Sequence, residues 1–179
     1  KGFFSVISAS SSSGFAAIEY EKYGPIVAVV IFLVMIFGSC AGSTSGGAKI
    51  DRLVLMLKNV RIELYRVLHP NTVEIIRING KPVTRDSFAK TVAFLSIYFL
   101  IMAVCALIFS CNGVPAFDSA FTSLSMISNI GYGYGATGLA GSYADLSGFC
   151  KMVCAFEMLV ARLELFTVLV LFSKSFWKI

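Results

Sequence analysis

Apolar stretches alternate along the chain with short polar or glycine-rich interruptions, and their lengths decide what each can be. Three are long enough, or nearly so, to cross a bilayer, which takes about 20 mainly apolar residues: Gly24–Gly38 with its continuation, Ser87–Cys111 and Leu146–Phe172. A fourth, Phe117–Ile127, is too short to cross and leads directly into Ser128-Asn129-Ile130-Gly131-Tyr132-Gly133-Tyr134-Gly135. Pro25–Phe37 predicts a helix of 13 residues, roughly 20 Å against a hydrocarbon core of roughly 30 Å. It meets eleven small residues with four glycines, positions 38–48, which are poor material for a helix. Ile50, Leu53, Val54, Leu57, Leu64 and Leu68 then resume helical spacing, with Lys49, Arg52, Lys58, Arg61 and Arg66 between them. The pattern predicts a broken helix: an upper half, an irregular intramembrane loop and an amphipathic lower half. A short helix ending in an ordinary cytoplasmic loop is the plainer alternative, and too few apolar residues precede the loop to suit it.

His69-Pro70-Asn71 ends the lower half, because the residue before a proline leaves the helical region. The segment from Thr72 to Val83 contains Asn79-Gly80, a strong signal for a β-hairpin. Ser87–Cys111 predicts a plain membrane helix, Asn112-Gly113-Val114-Pro115 a turn, and Phe117–Ile127 a re-entrant half-helix whose C-terminal dipole end favours a cation. Alternating glycines after it permit an extended backbone with unusual φ/ψ. Such a backbone can line up carbonyl oxygens, which replace water around a bare potassium ion. Irregular backbone at membrane depth survives only when buried in protein or lining a wet cavity.

Residues 3–15 repeat this arrangement in weaker form. An offset of 117 puts Phe4 on Phe121, Ile7 on Leu124, Ser8 on Ser125, Ser11 on Ser128, Gly14 on Gly131 and Phe15 on Tyr132. A serine-rich linker would explain Ser10–Ser13 alone; the common register and the apolar segment after each copy favour an internal repeat.

Composition sharpens the class. Of the 179 residues 57% are hydrophobic and 14% charged, too apolar for an ordinary soluble domain. The net charge of +5 invites a nucleic-acid reading, which its placement opposes: nine of the 15 Lys and Arg fall between Lys49 and Lys90, and none between Asn112 and Phe149. Positive residues mark cytoplasmic loops, so Lys49–Lys90 and the C-terminus are placed inside and the glycine-rich stretch is entered from outside. No signal peptide is recognisable at Lys1-Gly2-Phe3-Phe4. Cys40, Cys105, Cys111, Cys150 and Cys154 lack metal spacing and read as small apolar residues. Gly133-Tyr134-Gly135-Ala136-Thr137-Gly138 fits a dinucleotide fingerprint by letter, without the strand and helix that would give it meaning. The single His69 leaves no credible hydrolytic triad, so no enzyme is expected.

Arg162 is the sharpest single residue. It lies inside the last apolar run, where a charge costs about 2.5–3.5 kcal/mol and usually faces a partner or water. The offset of 117 sets it opposite Ser45, in the small-residue loop, whose carbonyls suit a guanidinium with five donors. Glu157 or Glu164 would be the partner if the arginine served assembly only.

Together, Gly38-Ser-Cys-Ala-Gly-Ser-Thr-Ser-Gly-Gly-Ala-Lys49, the linker from Leu68-His-Pro70 to Gly80-Lys-Pro-Val83, Asn129-Ile-Gly-Tyr-Gly133 and Met158-Leu-Val-Ala-Arg-Leu-Glu-Leu-Phe166 resemble the TrkH/KtrB membrane subunits of bacterial potassium uptake systems. The resemblance implies an all-α membrane protein of helix, re-entrant pore helix and helix repeats, with a broken inner helix and a small cytoplasmic hairpin. Residues 1–23 would end one pore helix and filter, 24–69 form the broken inner helix with its loop 38–48, and 70–85 the linker. Residues 86–179 would make a complete repeat: outer helix 86–111, pore helix 116–127, filter 128–135 and inner helix 146–177. Two further repeats of the same pore would precede these.

By the same resemblance, potassium would pass along carbonyls of Ser11, Ser12, Ser13, Gly14, Asn129, Ile130 and Gly131, driven passively or by the membrane potential. Glycine at the filter position goes with potassium and serine with sodium tolerance. A gate would comprise Gly42, Ser43, Thr44, Ser45, Gly46, Gly47 and Lys49, with Arg162 against it. The expected setting is the cell inner membrane, as a multi-pass homodimer on a cytosolic TrkA/KtrA-like nucleotide-binding ring docked at Lys49–Arg85. K+ is the only ligand implied, with no covalent cofactor, nucleotide only on the partner and no nucleic acid. The reading of a different class is a non-transporting membrane scaffold whose glycines serve close helix packing.

Overall fold

The computed structural model of the chain describes residues 2–16, 20–38, 42–43, 47–69, 76–78, 81–139, 141–163, 165–171 and 176–177. It is mostly helical. The elements in order are α1 (Gly2–Ser10), a 3₁₀ turn (Tyr20–Tyr23), α2 (Pro25–Phe37), α3 (Ile50–Leu68), β1 (Arg77–Ile78), β2 (Lys81–Pro82), α4 (Arg85–Cys111), α5 (Ala116–Ile127), two 3₁₀ turns (Gly135–Thr137 and Tyr143–Asp145), α6 (Gly148–Arg162) and α7 (Leu165–Leu171).

Local chemistry explains the boundaries. Pro25 opens α2, where its missing N–H costs nothing, and Gly24 precedes it at φ 95°. The Thr84 hydroxyl caps α4 by accepting from Ser87 N, and Ser147 caps α6 by accepting from Cys150 N at 3.2 Å. β1 and β2 pair antiparallel, Arg77 with Pro82 and Ile78 with Lys81, so the strands are joined through Asn79-Gly80, which lie outside the described residues. Lys58 Nζ donates to the Arg77 carbonyl at 3.0 Å and ties this hairpin to α3.

The core forms around α5. From Phe121 to Ile127 every residue is buried, as expected of a helix covered on all sides. α5 packs chiefly on α4, then on α6 and α2. Ile31 and Met35 of α2, Phe94, Leu95 and Tyr98 of α4, and Val160 of α6 complete the main cluster. Cys105, Phe109, Met126, Cys150 and Cys154 form a second one, and the cysteines among the described residues are free thiols.

Large apolar side chains cover much of the outside: Phe3, Ile26, Leu107 and Met152 are 80%, 78%, 65% and 74% exposed. Such a surface exceeds what a water-soluble monomer carries and suits lipid or further protein segments.

One expected span is interrupted. Among the described residues only the segment Asp86–Cys111 is a helix both long and apolar enough to cross a membrane; α2 is shorter. Where a single inner helix was expected over 146–177, α6 ends at Arg162 and α7 begins at Leu165. The interruption follows Arg162, a charge within an otherwise apolar run. A cation in the last turn interacts favourably with the carbonyl end of a helix dipole, so Arg162 suits a helix end better than a helix middle.

Candidate functional site

The two segments singled out in the sequence are non-helical in the structure, and both follow the end of a short helix. After α1, Ser11 N donates to Ile7 O at 2.8 Å, Ser12 N to Ala9 O at 3.3 Å and Ser13 N to Ser8 O at 3.1 Å. After α5, Ser128 N donates to Leu124 O at 3.0 Å, Asn129 N to Met126 O at 3.0 Å and Ile130 N to Ser125 O at 3.0 Å. Every donor and acceptor in the second set is 117 positions beyond its counterpart. Backbone angles recur in the same register: φ is positive at Ser12 (51°) and Asn129 (54°), and at Gly14 (71°) and Gly131 (99°). Asparagine and glycine tolerate that region because a short polar side chain, or none, relieves the clash.

Hydroxyls hold both segments. Ser8 Oγ lies 3.2 Å from Ser13 Oγ and donates to the Phe15 carbonyl. Its counterpart Ser125 Oγ accepts from Gly131 N at 3.1 Å. The carbonyls of Ser13, Gly14, Asn129, Ile130 and Gly131 receive no hydrogen bond from the described residues. Backbone oxygens left open beside a helix end are suited to a bare monovalent cation.

The segments touch. A β-carbon on Gly14 would collide with the Ile130 carbonyl oxygen, whereas one on Gly131 would meet nothing within 4 Å. Ser11 and Ser13 are exposed, while Ser128 and Ile130 are buried.

Beneath the second segment, Ser128 joins three elements. Its Oγ donates to the Met35 carbonyl at 3.3 Å, satisfying an acceptor in the last turn of α2. Tyr98 of α4 lies 3.0 Å from the same oxygen, and with the serine proton engaged its hydroxyl is the donor. Gly47, at φ 90°, packs against this hydroxyl: its absent β-carbon would sit 3.6 Å from Ser128 Oγ and 3.8 Å from Gly38 Cα. Of the expected gate residues, Gly42 is exposed, Ser43 and Lys49 are half-buried, Gly47 is buried, and Thr44, Ser45 and Gly46 lie outside the described residues. Arg162 is exposed at the end of α6, and neither its expected neighbour Ser45 nor Glu164 is described. Glu157 is buried elsewhere on that helix, accepting from Ser123 Oγ at 2.5 Å.

Several residues with central places carried no signal in the sequence. Tyr20 is 3% exposed, stacks on Phe121 at 6.1 Å between centroids, and donates to the Gly133 carbonyl. Burial pushes its phenol well above the usual range, so it stays a donor at ordinary pH. Glu21 Oε1 accepts from Gly135 N at 3.2 Å, and Asp118 Oδ2 from Ala136 N at 3.2 Å. Thr137 shares a 2.6 Å hydroxyl contact with Thr122, and its carbonyl accepts from Gly133 N at 2.9 Å.

A largely helical chain with an apolar exterior and two non-helical, carbonyl-bearing segments at the ends of short helices is built as part of a membrane protein. It belongs to the TrkH family of cation transport proteins, whose family model matches residues 1–179. It is 35% identical to the Trk system potassium uptake protein TrkI of Halomonas elongata, over 98% of this chain and 36% of that protein. To the Trk system potassium uptake protein TrkH of Escherichia coli K12 it is 31% identical, over 99% of this chain and 36% of that protein. The crystal structure of the potassium transporter TrkH from Vibrio parahaemolyticus superposes with a TM-score of 0.87 at 30% identity, over 98% of this chain and 37% of that one. The chain therefore spans about a third of the length of the relatives it matches.

Proposed function

We propose that the protein takes up potassium across the cell membrane through a filter to which this chain contributes two of four carbonyl segments, Ser11–Gly14 and Asn129–Gly131. The observation that carries the reading is the matched pair: one hydrogen-bond pattern and one set of positive φ values, repeated at a fixed offset, each with backbone carbonyls (Ser13 and Gly14, Asn129 to Gly131) that accept no hydrogen bond from the described residues. The asymmetry between the glycines supports further segments. Gly14 lies against the neighbouring carbonyl of Ile130, while the equivalent face of Gly131 is open, as it would be with the next segment absent. The names of the relatives supply the ion.

In this reading α1 and α5 are pore helices, and α4, α5 and α6 with α7 form one helix–pore helix–helix repeat. Loop 38–48 is the gate: its two ends meet beneath Ser128, at the base of the second filter segment. Arg162 acts on it from the break between α6 and α7. Lys49–Arg85, with its tethered hairpin, is the cytoplasmic surface for a nucleotide-binding regulatory ring, and the assembled transporter is a homodimer.

The scaffold alternative is less well supported. Glycines that serve helix packing lie within helices, whereas Gly14 and Gly131 lie outside them at positive φ.

The test is the Gly131→Ser substitution in the complete transporter reconstituted into vesicles. The potassium-over-sodium flux ratio should fall by about tenfold, the effect of roughly 1.4 kcal/mol of differential ion stabilisation. An unchanged ratio would remove Gly131 from the filter. Arg162→Ala should raise basal flux in the same assay; flux equal to the parent's would remove the gate role.

A further inference from the structure

We propose that Tyr20 and Glu21 are positioning residues for ion selectivity, a latch from the first unit that fixes the outer end of the second filter segment. The inference rests on the filter reading above and adds a pair that the repeat pattern would not suggest.

The contacts are specific and cross between units. Tyr20 O–H donates to the Gly133 carbonyl, and Glu21 Oε1 accepts from Gly135 N at 3.2 Å. Two adjacent residues thus hold both ends of the Gly133-Tyr134-Gly135 tripeptide, one through a carbonyl and one through an N–H. The Tyr20 ring is seated against Phe121 of α5 and is tilted against Tyr132 at 5.8 Å and Tyr134 at 6.2 Å. The receiving surface is shaped for the pair. A β-carbon on Gly138 would collide with the Glu21 carboxylate, and one on Gly135 with that of Asp118. Two of the glycines after the filter are therefore needed by their neighbours as well as by their own backbone.

The offset of 117 shows why this is more than packing. It carries Tyr20 onto Thr137 and Glu21 onto Gly138. Thr137 turns inward, bonding Gly133 N through its carbonyl and Thr122 through its hydroxyl. Gly133 is consequently fixed at its N–H by its own segment and at its C=O by the other. The open carbonyls of Asn129–Gly131 end two residues earlier on the same non-helical stretch. A segment held at this distance presents its oxygens at a set spacing, and a loosened one lets them close around a smaller ion. Ion choice in a carbonyl filter depends on both spacing and stiffness.

The experiment uses the complete transporter in vesicles, with the potassium-over-sodium flux ratio measured on inserted protein, so that altered expression does not enter. Tyr20→Phe keeps the ring and removes one hydrogen bond; the ratio should fall about fivefold, the equivalent of roughly 1 kcal/mol for a lost buried bond. Glu21→Ala should produce a similar fall. Glu21→Gln, which retains an acceptor oxygen, should restore most of the parent ratio, whereas Glu21→Leu, which keeps comparable bulk without an acceptor, should not; rescue by Gln excludes loss of charge as the cause and failure of Leu excludes loss of bulk. Gly131→Ser is measured alongside. If Gly131→Ser changes the ratio while Tyr20→Phe and Glu21→Ala leave it at the parent value, the latch is wrong and the filter stands. If Gly131→Ser leaves the ratio unchanged, the filter reading itself fails.

Discussion

Ser11–Gly14 and Ser128–Gly131 make the same backbone turn in different surroundings, and their difference separates what a local sequence imposes from what its neighbours add. The hydrogen bonds back to the preceding helix are equivalent, and so are the left-handed positions. The context is not: Ser128 is buried and links α2 to α4, while Ser11 is exposed; Gly14 faces a carbonyl and Gly131 faces open space. Glycine is needed twice for its φ, but only once for want of room.

Gly14→Ala is the most severe way to probe that distinction. It adds left-handed strain and a collision with a backbone oxygen that cannot swing aside, together about 3 kcal/mol. Thermal unfolding of the purified complete transporter should register it directly. Gly131→Ala meets strain alone, about 1–2 kcal/mol. Equal losses for the two would mean that the open side of Gly131 is filled in the assembled protein, which would sharpen the case for a further segment there.

Ser128→Ala should come next, at about 1–2 kcal/mol, because it strands the Met35 carbonyl and the Tyr98 hydroxyl. Ser11→Ala, at the equivalent exposed position, should fall within about 0.5 kcal/mol of the parent. A double-mutant cycle with Tyr98→Phe should show coupling to Ser128→Ala and none to Ser11→Ala. The smallest contrast concerns the hydroxyls that brace each turn. Ser8→Ala and Ser125→Ala should each cost about 1 kcal/mol, and a large difference between them would break the equivalence of the two turns.

Much of the helical framework is legible in the residues. A long apolar run bounded by Thr84 and Asn112-Gly113 can hardly be anything but one helix, and Asn79-Gly80 marks a hairpin by its turn chemistry. The two turns are visible because positive φ restricts what a position accepts, and glycine and asparagine are its signature. The gap between α6 and α7 is only faintly legible: Arg162 suits a helix end, but Leu163 and Leu165 continue the apolar run, and helix ends depend on caps and partners as much as on periodicity. Tyr20 and Glu21 are hidden for a different reason. Their partners are backbone groups 113 and 114 residues away, and a backbone acceptor or donor leaves no mark on side-chain identity. Gly135 and Gly138 stand out in the sequence only through glycine alternation and a dinucleotide-like spacing, and neither shows that neighbouring carboxylates require their smallness.

The approach of Gly38 to Gly47 has a consequence for how sequences of this kind can diverge. Both lie at positive φ, 59° and 90°, and Gly47 packs on the Met35 carbonyl and the Ser128 hydroxyl, so a side chain at either would strain the junction between the end of α2 and the turn after α5, and both positions are expected to stay glycine as such sequences drift.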